Sequence, residues 1–372
     1  MNLKNSVAFL CLILFFSDSI ALEPLDDPIP EKIKPGSIVV SVKKFVRLPK
    51  TLDSSNNLTN RAHARIQYMV PFGYTAGTMM INDTRGVLYL TDHAGSAPRV
   101  YLDLTEQNVG FFDAAFPNEM VVAGIAFHPE FTSIGRPGFG KFYTAFSARS
   151  DSGVSDYLEE DAGSHESVVR EWTARNPRAF PFKGESREVF RVGQFAPNHN
   201  VGSIGFNPVA EVGSSDYGML YVSLGDGGAA NDPQEYGQSL SEPMSSIVRI
   251  DPLGGGGSES YGVPDDNPFA GENWKLGIAP ETWAYGLRHA QHFSWDTSGR
   301  MFICDIGQDQ VEEINIGVAG ANYGWRLREG TFATAFSVEG GEPGKVYDLL
   351  APGNFVDPIA QYDHDEGNAI GG

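Results

Sequence analysis

Hydrophobic and polar positions alternate along this chain in short bursts that keep returning to one plan. Four stretches read as an apolar strand, a polar corner, a glycine with one neighbour, and an aromatic-bearing strand. They are TMMINDTRGVLYLTD from Thr78, GIAFHPEF with GKFYTAFS from Gly124, SIGFNP with YGMLYVSLGD from Ser203, and HFSWDTSGRMFICD from His292. Period-two alternation in runs of this length predicts strands, and the Asp-, Asn- and Gly-bearing corners predict turns. A further strand closes three of the units, VVREWTA at Val168, SIVRIDP at Ser246 and VEEINIG at Val311, with VYLDL at Val100 in that place in the first. One such sheet cannot bury both of its faces, so repeated antiparallel sheets must pack face to face around an axis. The expectation is an all-β fold, a β-propeller. Four units are clear and the tail from Gln361 reads as the opening of another, so the ring is expected to be incomplete at the C-terminal end of this chain.

Composition supports that reading and narrows the partners. The chain has 372 residues, with 43 glycines and 12% aromatic residues, which suits many short strands and many turns. Lys and Arg number 27 against 47 Asp and Glu, a formal net charge of −20, and such a surface repels nucleic acid and anionic membranes while tolerating cations. Lys4, the apolar run Val7–Phe16 and Ser19-Ile20-Ala21 form a signal peptide over residues 1–21, with a run too short to span a bilayer. No second long apolar run follows, so the expectation is an exported protein without membrane insertion, periplasmic or secreted. Cleavage after Ala21 removes Cys11 and leaves Cys304 alone, which excludes an internal disulfide and a CxxC metal site. Residues 22–36, rich in proline and acidic groups, read as a flexible lead-in to a propeller domain spanning 37–372. The glycine run from Gly254 reads as a long loop within the repeats.

Chemistry is expected where loops from different units converge on the axis. The stretch Tyr217–Gln238 opens as a strand, with Leu220, Val222 and Leu224 alternating against Tyr221 and Ser223, and breaks at Gly225-Asp226-Gly227-Gly228 into a loop rich in oxygen ligands. Such a loop suits a hard cation or a polar small molecule, or else is a tight turn between strands. Three corners carry chemistry-bearing groups: His128 in AFHPEF, Asn198-His199-Asn200 in PNHNVG, and Arg288 in YGLRHAQHF. His128 lies at a strand end where equivalent corners hold Asn82, Asn207 and Asp296, so it is either a turn cap or a base able to accept a hydroxyl proton. His199 is open between loop hydrogen bonding and ligand contact. Arg288 is open between a carboxylate or oxyanion partner and a surface ion pair. No HExxH spacing, GxGxxG, P-loop or GxSxG element occurs. Asn57-Leu58-Thr59 and Asn82-Asp83-Thr84 are glycosylation sequons.

Eight motifs run in one order from about Val121 to Trp325: VVAGIAFHPEF, NHNVGSIGFNP, LYVSLGDGGAANDP with YGQSL, SIVRIDP, YGVPDDNPF, ETWAYGLRHAQHFSWD, DIGQDQVEEINI and GANYGW. Together they resemble the glucose/sorbosone dehydrogenase family, the soluble pyrroloquinoline quinone (PQQ) sugar dehydrogenases. The resemblance implies a six-bladed propeller that oxidises an aldose at C1 to the lactone, with hydride passing to the quinone and onward to an electron acceptor. It implies that His128 is the general base, that His199, Asn200, Asp226 and Arg288 bind the cofactor, and that Tyr323 and Trp325 line the sugar-facing rim. It further implies Ca2+ beside the quinone, with Gly237 and Gln238 as local ligands, and Glu313 at a second, structural calcium. The chain departs from glucose-oxidising members in placing Ala229 and Ala230, not arginine and asparagine, just after the GDxG turn. The alternative is a non-catalytic secreted propeller that binds a protein or glycan, as hedgehog-interacting proteins do on this fold.

Overall fold

The alternating segments become strands in the computed structural model, which describes residues 22–34, 36–49, 64–74, 77–112, 121–158, 163, 165–255, 260–367 and 369–370. The expected signal peptide and the Asn57 sequon lie outside the described residues. The first sheet is β1 (Ile66–Pro71), β2 (Thr78–Asp83), β3 (Val87–Asp92) and β4 (Arg99–Asp103). The second is β5 (Val122–Phe127), β6 (Lys141–Arg149), β7 (His165–Ala174) and β8 (Gly184–Gly193). The third is β9 (Val201–Phe206), β10 (Leu220–Leu224), β11 (Ser246–Ile250) and β12 (Thr282–Tyr285). The fourth begins with β13 (Ala290–Trp295), β14 (Met301–Asp305) and β15 (Val311–Ile316). The chain then leaves to form a small sheet of β16 (Arg328–Glu329), β17 (Phe332–Thr334) and β18 (Val346–Tyr347), and returns as β19 (Ala360–Asp363) to pair with β15. Neighbouring strands in every sheet are antiparallel. The architecture is that of an all-β propeller, its four-stranded sheets serving as blades.

The core is three apolar layers between successive blades, so both faces of the middle sheets are buried. In β10, Leu220, Val222 and Leu224 face the second sheet while Tyr221 faces the fourth. In β6, Phe142 and Phe146 face the first sheet while Tyr143 and Ala145 face the third. Each such Leu, Val or Phe contributes roughly 1.5–3 kcal/mol of burial, which is how a chain with one free cysteine among its described residues is held by packing.

The first strands of the blades, β1, β5, β9 and β13, line the axis and run the same way. Their N-terminal ends meet around Gln67, Val121, Ala123, Asn200, Val201, His289 and Gln291. Their C-terminal ends meet around a cavity of about 410 Å3 walled by Val70, Phe127, Phe206 and Trp295. The approach is close enough to require glycine at Gly202, where an added Cβ would lie 2.8 Å from the Ala290 carbonyl oxygen and 2.9 Å from that of Gln291.

Two expectations are corrected. The first repeat is out of phase, because TMMIND and GVLYLTD are strands two and three of their sheet whereas the later repeats supply strands one and two. The tail from Gln361 completes the fourth sheet, in register Val311 with Asp363 and Ile314 with Ala360, and does not open another unit. Within the lead-in, Leu25 N–H donates to Val346 O (2.9 Å), Ile29 N–H to Asp363 Oδ2 (3.1 Å) and Ile33 N–H to Glu366 Oε2 (3.1 Å). The Gly254 region is a loop closed at its base by Asp251 and Gly262, which exchange two backbone bonds of 2.8 Å.

Asn82 is fully buried and its amide joins the first two blades: Oδ1 accepts from the N–H of Tyr68 (2.6 Å), and Nδ2 donates to Val122 O (2.8 Å). Replacing Asn82 with Ala therefore strands backbone groups in the interior and should cost about 2–4 kcal/mol in denaturant unfolding. By the same burial, mass spectrometry of protein made in a glycosylating host should find Asn82 unmodified.

Candidate functional site at the axial mouth

Antiparallel pairing brings the start of β9 beside the end of β10, so the Asn198–Asn200 loop and the Gly225–Gly228 loop share one end of the third blade. Asp226 is the meeting point. Its Oδ1 accepts from His199 Nδ1 (2.5 Å) and from the Gly228 N–H (3.0 Å), and its Oδ2 accepts from Trp325 Nε1 (2.8 Å). The Asp226 N–H donates to the Arg288 carbonyl at 2.9 Å. The ring of His289 stacks on His199, with centroids 5.0 Å apart and planes at 17°. The Arg288 guanidinium carbon lies 5.6 Å from the Trp325 ring centre, and its Nη1 donates to the carbonyls of Ile306 (3.1 Å) and Gly307 (2.8 Å). From the second blade, His165 at the start of β7 pairs through Nε2 with Asn200 Oδ1 (2.7 Å).

The backbone here is bent into conformations that L-residues resist. Among the described residues, the non-glycine positions with positive φ are His199 (54°), Ala229 (64°), Asn231 (67°), Asp232 (45°), Glu235 (62°), Ser245 (58°) and Leu158 (58°). All but Leu158 lie in the loops around Asp226. Such strain gathers where surrounding structure fixes a site. Burial shapes the protonation states as well: it holds His289 far below the ordinary histidine range, with His199 and Arg288 adding to the effect, and it also lowers His165. Burial pushes Asp232 up to about 6, aided by the neighbouring Asp226 charge.

Of the residues expected at the site, His199, Asn200, Asp226, Arg288 and Trp325 converge. Trp325 does so as a partner of Asp226, buried at 5% exposure, and not as an open rim. His128 does not join them. It follows β5 at the opposite end of the axis, its ring 5.3 Å from that of Phe206. Phe206 ends the strand that His199 precedes, seven residues along, so the two histidines are separated by roughly 20 Å of strand rise. His128 Nδ1 accepts from the Glu130 N–H (3.1 Å), as Asn207 Oδ1 accepts from Val209 (3.1 Å) and Asp296 Oδ1 from Ser298 (2.8 Å). The turn-cap alternative therefore describes the geometry, with an imidazole standing where other blades use an amide or carboxylate.

Tyr323 is buried in the layer between the third and fourth blades, its hydroxyl donating to Ile316 O (2.6 Å), and it does not reach a rim. The residues expected to bind calcium make hydrogen bonds within the protein. The Gly237 N–H donates to Asp232 Oδ2 (2.8 Å), and the Gln238 amide is spent on Trp325 O (2.6 Å) and Asn322 (2.8 Å from Asn322 Nδ2 to Gln238 Oε1). Glu313 is held separately by the Gly330 N–H (2.5 Å) and Asn315 Nδ2 (3.0 Å). Among the described residues no three His, Cys, Asp or Glu side chains converge as a metal-binding set. His165 and His289 belong to the cluster without having been singled out. The place of His289 beside Arg288 was its one visible signal, and His165 had none.

The family described as glucose/sorbosone dehydrogenase matches residues 74–343, and the chain belongs to it. The HIPL1 protein of Arabidopsis thaliana is 30% identical over 325 residues, covering 78% of this chain and 42% of that protein. The aldose sugar dehydrogenase YliI of Escherichia coli (strain K12) is 32% identical over 111 residues, 30% of this chain and 26% of that protein. This chain thus spans about two-fifths of HIPL1 and a quarter of YliI. The PQQ-bound form of an aldose sugar dehydrogenase from Streptomyces coelicolor shares the fold, with a TM-score of 0.55 at 22% identity over 88% of this chain and 73% of its own.

The position of His128 makes a pH prediction. Burial pushes its imidazole down to about 4, below the roughly 6.5 of an unfolded chain. The unfolded state then binds a proton first, so stability is complete above about pH 6.5 and falls as pH drops toward 4, by about 2 kcal/mol at pH 5. In unfolding titrations at pH 7.5 and 5, His128→Gln should lose this part of the pH dependence.

Proposed function

We propose that this member of the glucose/sorbosone dehydrogenase family is exported and oxidises an aldose at C1 to the lactone with PQQ, and that His199 is the base. The observation that carries the reading is the His199–Asp226 contact of 2.5 Å. A carboxylate on Nδ1 fixes the ring and makes Nε2 the basic nitrogen, and it stabilises the imidazolium that forms when a sugar hydroxyl gives up its proton. The Trp325 and Gly228 donors in turn hold that carboxylate in place.

The residues present fit a planar tricarboxylate quinone in type. Arg288 Nε and His289 Nδ1 are buried nitrogens with no hydrogen-bond partner among the described residues, which suits an acceptor-rich ligand. With Ala229 and Ala230 where glucose-oxidising members carry arginine and asparagine, Arg288 and the two stacked histidines would hold the cofactor. Bound quinone supplies a two-electron acceptor for the C1 hydride. The chain's own part is to bind, orient and accept the proton: neutral His289 stacked on His199 lets the base become charged without facing a second imidazolium. Burial of the cluster excludes competing water.

A second reading, a non-catalytic propeller that binds a protein or glycan, is favoured by the likeness to HIPL1 over 78% of the chain and by the two alanines. Titration with PQQ separates them, since the oxidation reading requires binding at micromolar concentration. In dye-linked assays with added PQQ, His199→Gln should lower turnover by about 10² or more, while His128→Gln should stay close to wild type. The reverse pattern would return the base to the far end of the axis.

A further inference from the structure

We propose that Glu329 is a positioning residue, whose carboxylate shapes the loop over residues 307–311 and, through it, sets Arg288 and the Asp226 loop at the axial mouth. Glu329 lies in β16, outside the four blades, and is 3% exposed. Its Oε1 accepts from four successive backbone N–H groups: Gln308 (2.8 Å), Asp309 (3.0 Å), Gln310 (2.8 Å) and Val311 (2.9 Å). Consecutive amides turned inward form a concavity that selects an anion, and here the chain supplies its own. Burial raises the Glu329 carboxyl above its usual range, while these amides and the Arg288 charge pull it back down.

The orientation has consequences on the other side of the loop. With the amides turned to Glu329, the carbonyls of Ile306 and Gly307 are left for Arg288 Nη1, at 3.1 and 2.8 Å. The loop admits no side chain at its head: a Cβ on Gly307 would lie 1.8 Å from Val311 O and 2.8 Å from Glu329 Oε1. A second tether runs sideways, since Gln308 Oε1 accepts from the Asn231 N–H (2.5 Å) and Gln308 Nε2 donates to Asn231 Oδ1 (2.9 Å). Asn231 belongs to the strained stretch after Asp226, and Arg288 O accepts the Asp226 N–H (2.9 Å). Glu329 therefore reaches Asp226 by two routes without touching it. A neutral acceptor would answer four converging dipoles less well than a full charge.

The functional part rests on the reading of the mouth as a PQQ site, and the experiment keeps the two apart. Hydrogen exchange read by mass spectrometry on Glu329→Gln, equal in shape but uncharged, should show faster exchange over residues 306–311 and 225–235, with the strands of the second blade unchanged. PQQ titration of the same variant should show affinity weakened about tenfold or more. Faster exchange confined to 306–311, or spread evenly over all blades, would overturn the positioning role, as would wild-type exchange throughout. If wild-type protein does not bind PQQ, the cofactor reading fails and the exchange pattern alone decides the role of Glu329. Should Glu329→Gln not fold, Gln308→Ala cuts the tether to Asn231, and with it the bond from Gln308 Nε2 to Asp309 Oδ2 (2.8 Å), while leaving the Glu329 carboxylate on its four amides. Faster exchange over 229–232 supports the proposal, and no change there overturns it.

Discussion

One buried carboxylate fixes the arrangement of the axial mouth. A charge removed from water is tolerated only where donors replace the lost hydration, and Asp226 finds them on His199, Gly228 and Trp325. Those partners come from both sides of the third blade and from the segment beyond the fourth. Trp325 is 99 residues away in the chain. Because each donor satisfies part of one charge, no loop can move without leaving that charge underserved. The mouth is thereby a single cooperative unit.

The blades make this economy of contacts available. With β1, β5, β9 and β13 running in one direction about the axis, the loops entering them all gather at one end and the corners leaving them at the other. Reactive groups collect where the chain enters the inner strands. Turn caps collect where it leaves them. Residues of the same type thus take different roles according to which end of a strand they adjoin.

Much of this was legible beforehand. The alternation of Leu220, Val222 and Leu224 against Tyr221 identified a strand, and the structure shows why both sets are apolar or aromatic: each faces a different blade. Phase was harder, because a strand–corner–strand pattern reads the same for any hairpin of a sheet, and the first repeat is one strand out of step. His128 was misplaced for a related reason. AFHPEF has the look of a functional corner, but its imidazole does locally what Asn207 and Asp296 do in their own turns. The partners of Asp226 could be grouped only by resemblance, and His165 and Glu329 not at all, since their contacts depend on segments 18 to 35 residues apart being folded together.

The mirror-image backbone at His199, Ala229, Asn231, Asp232 and Glu235 has a bearing on how the protein is made. Each such residue costs roughly 1–2 kcal/mol of backbone strain, offset only by contacts that the neighbouring blades supply. The mouth thus takes its shape only together with the blades that flank it.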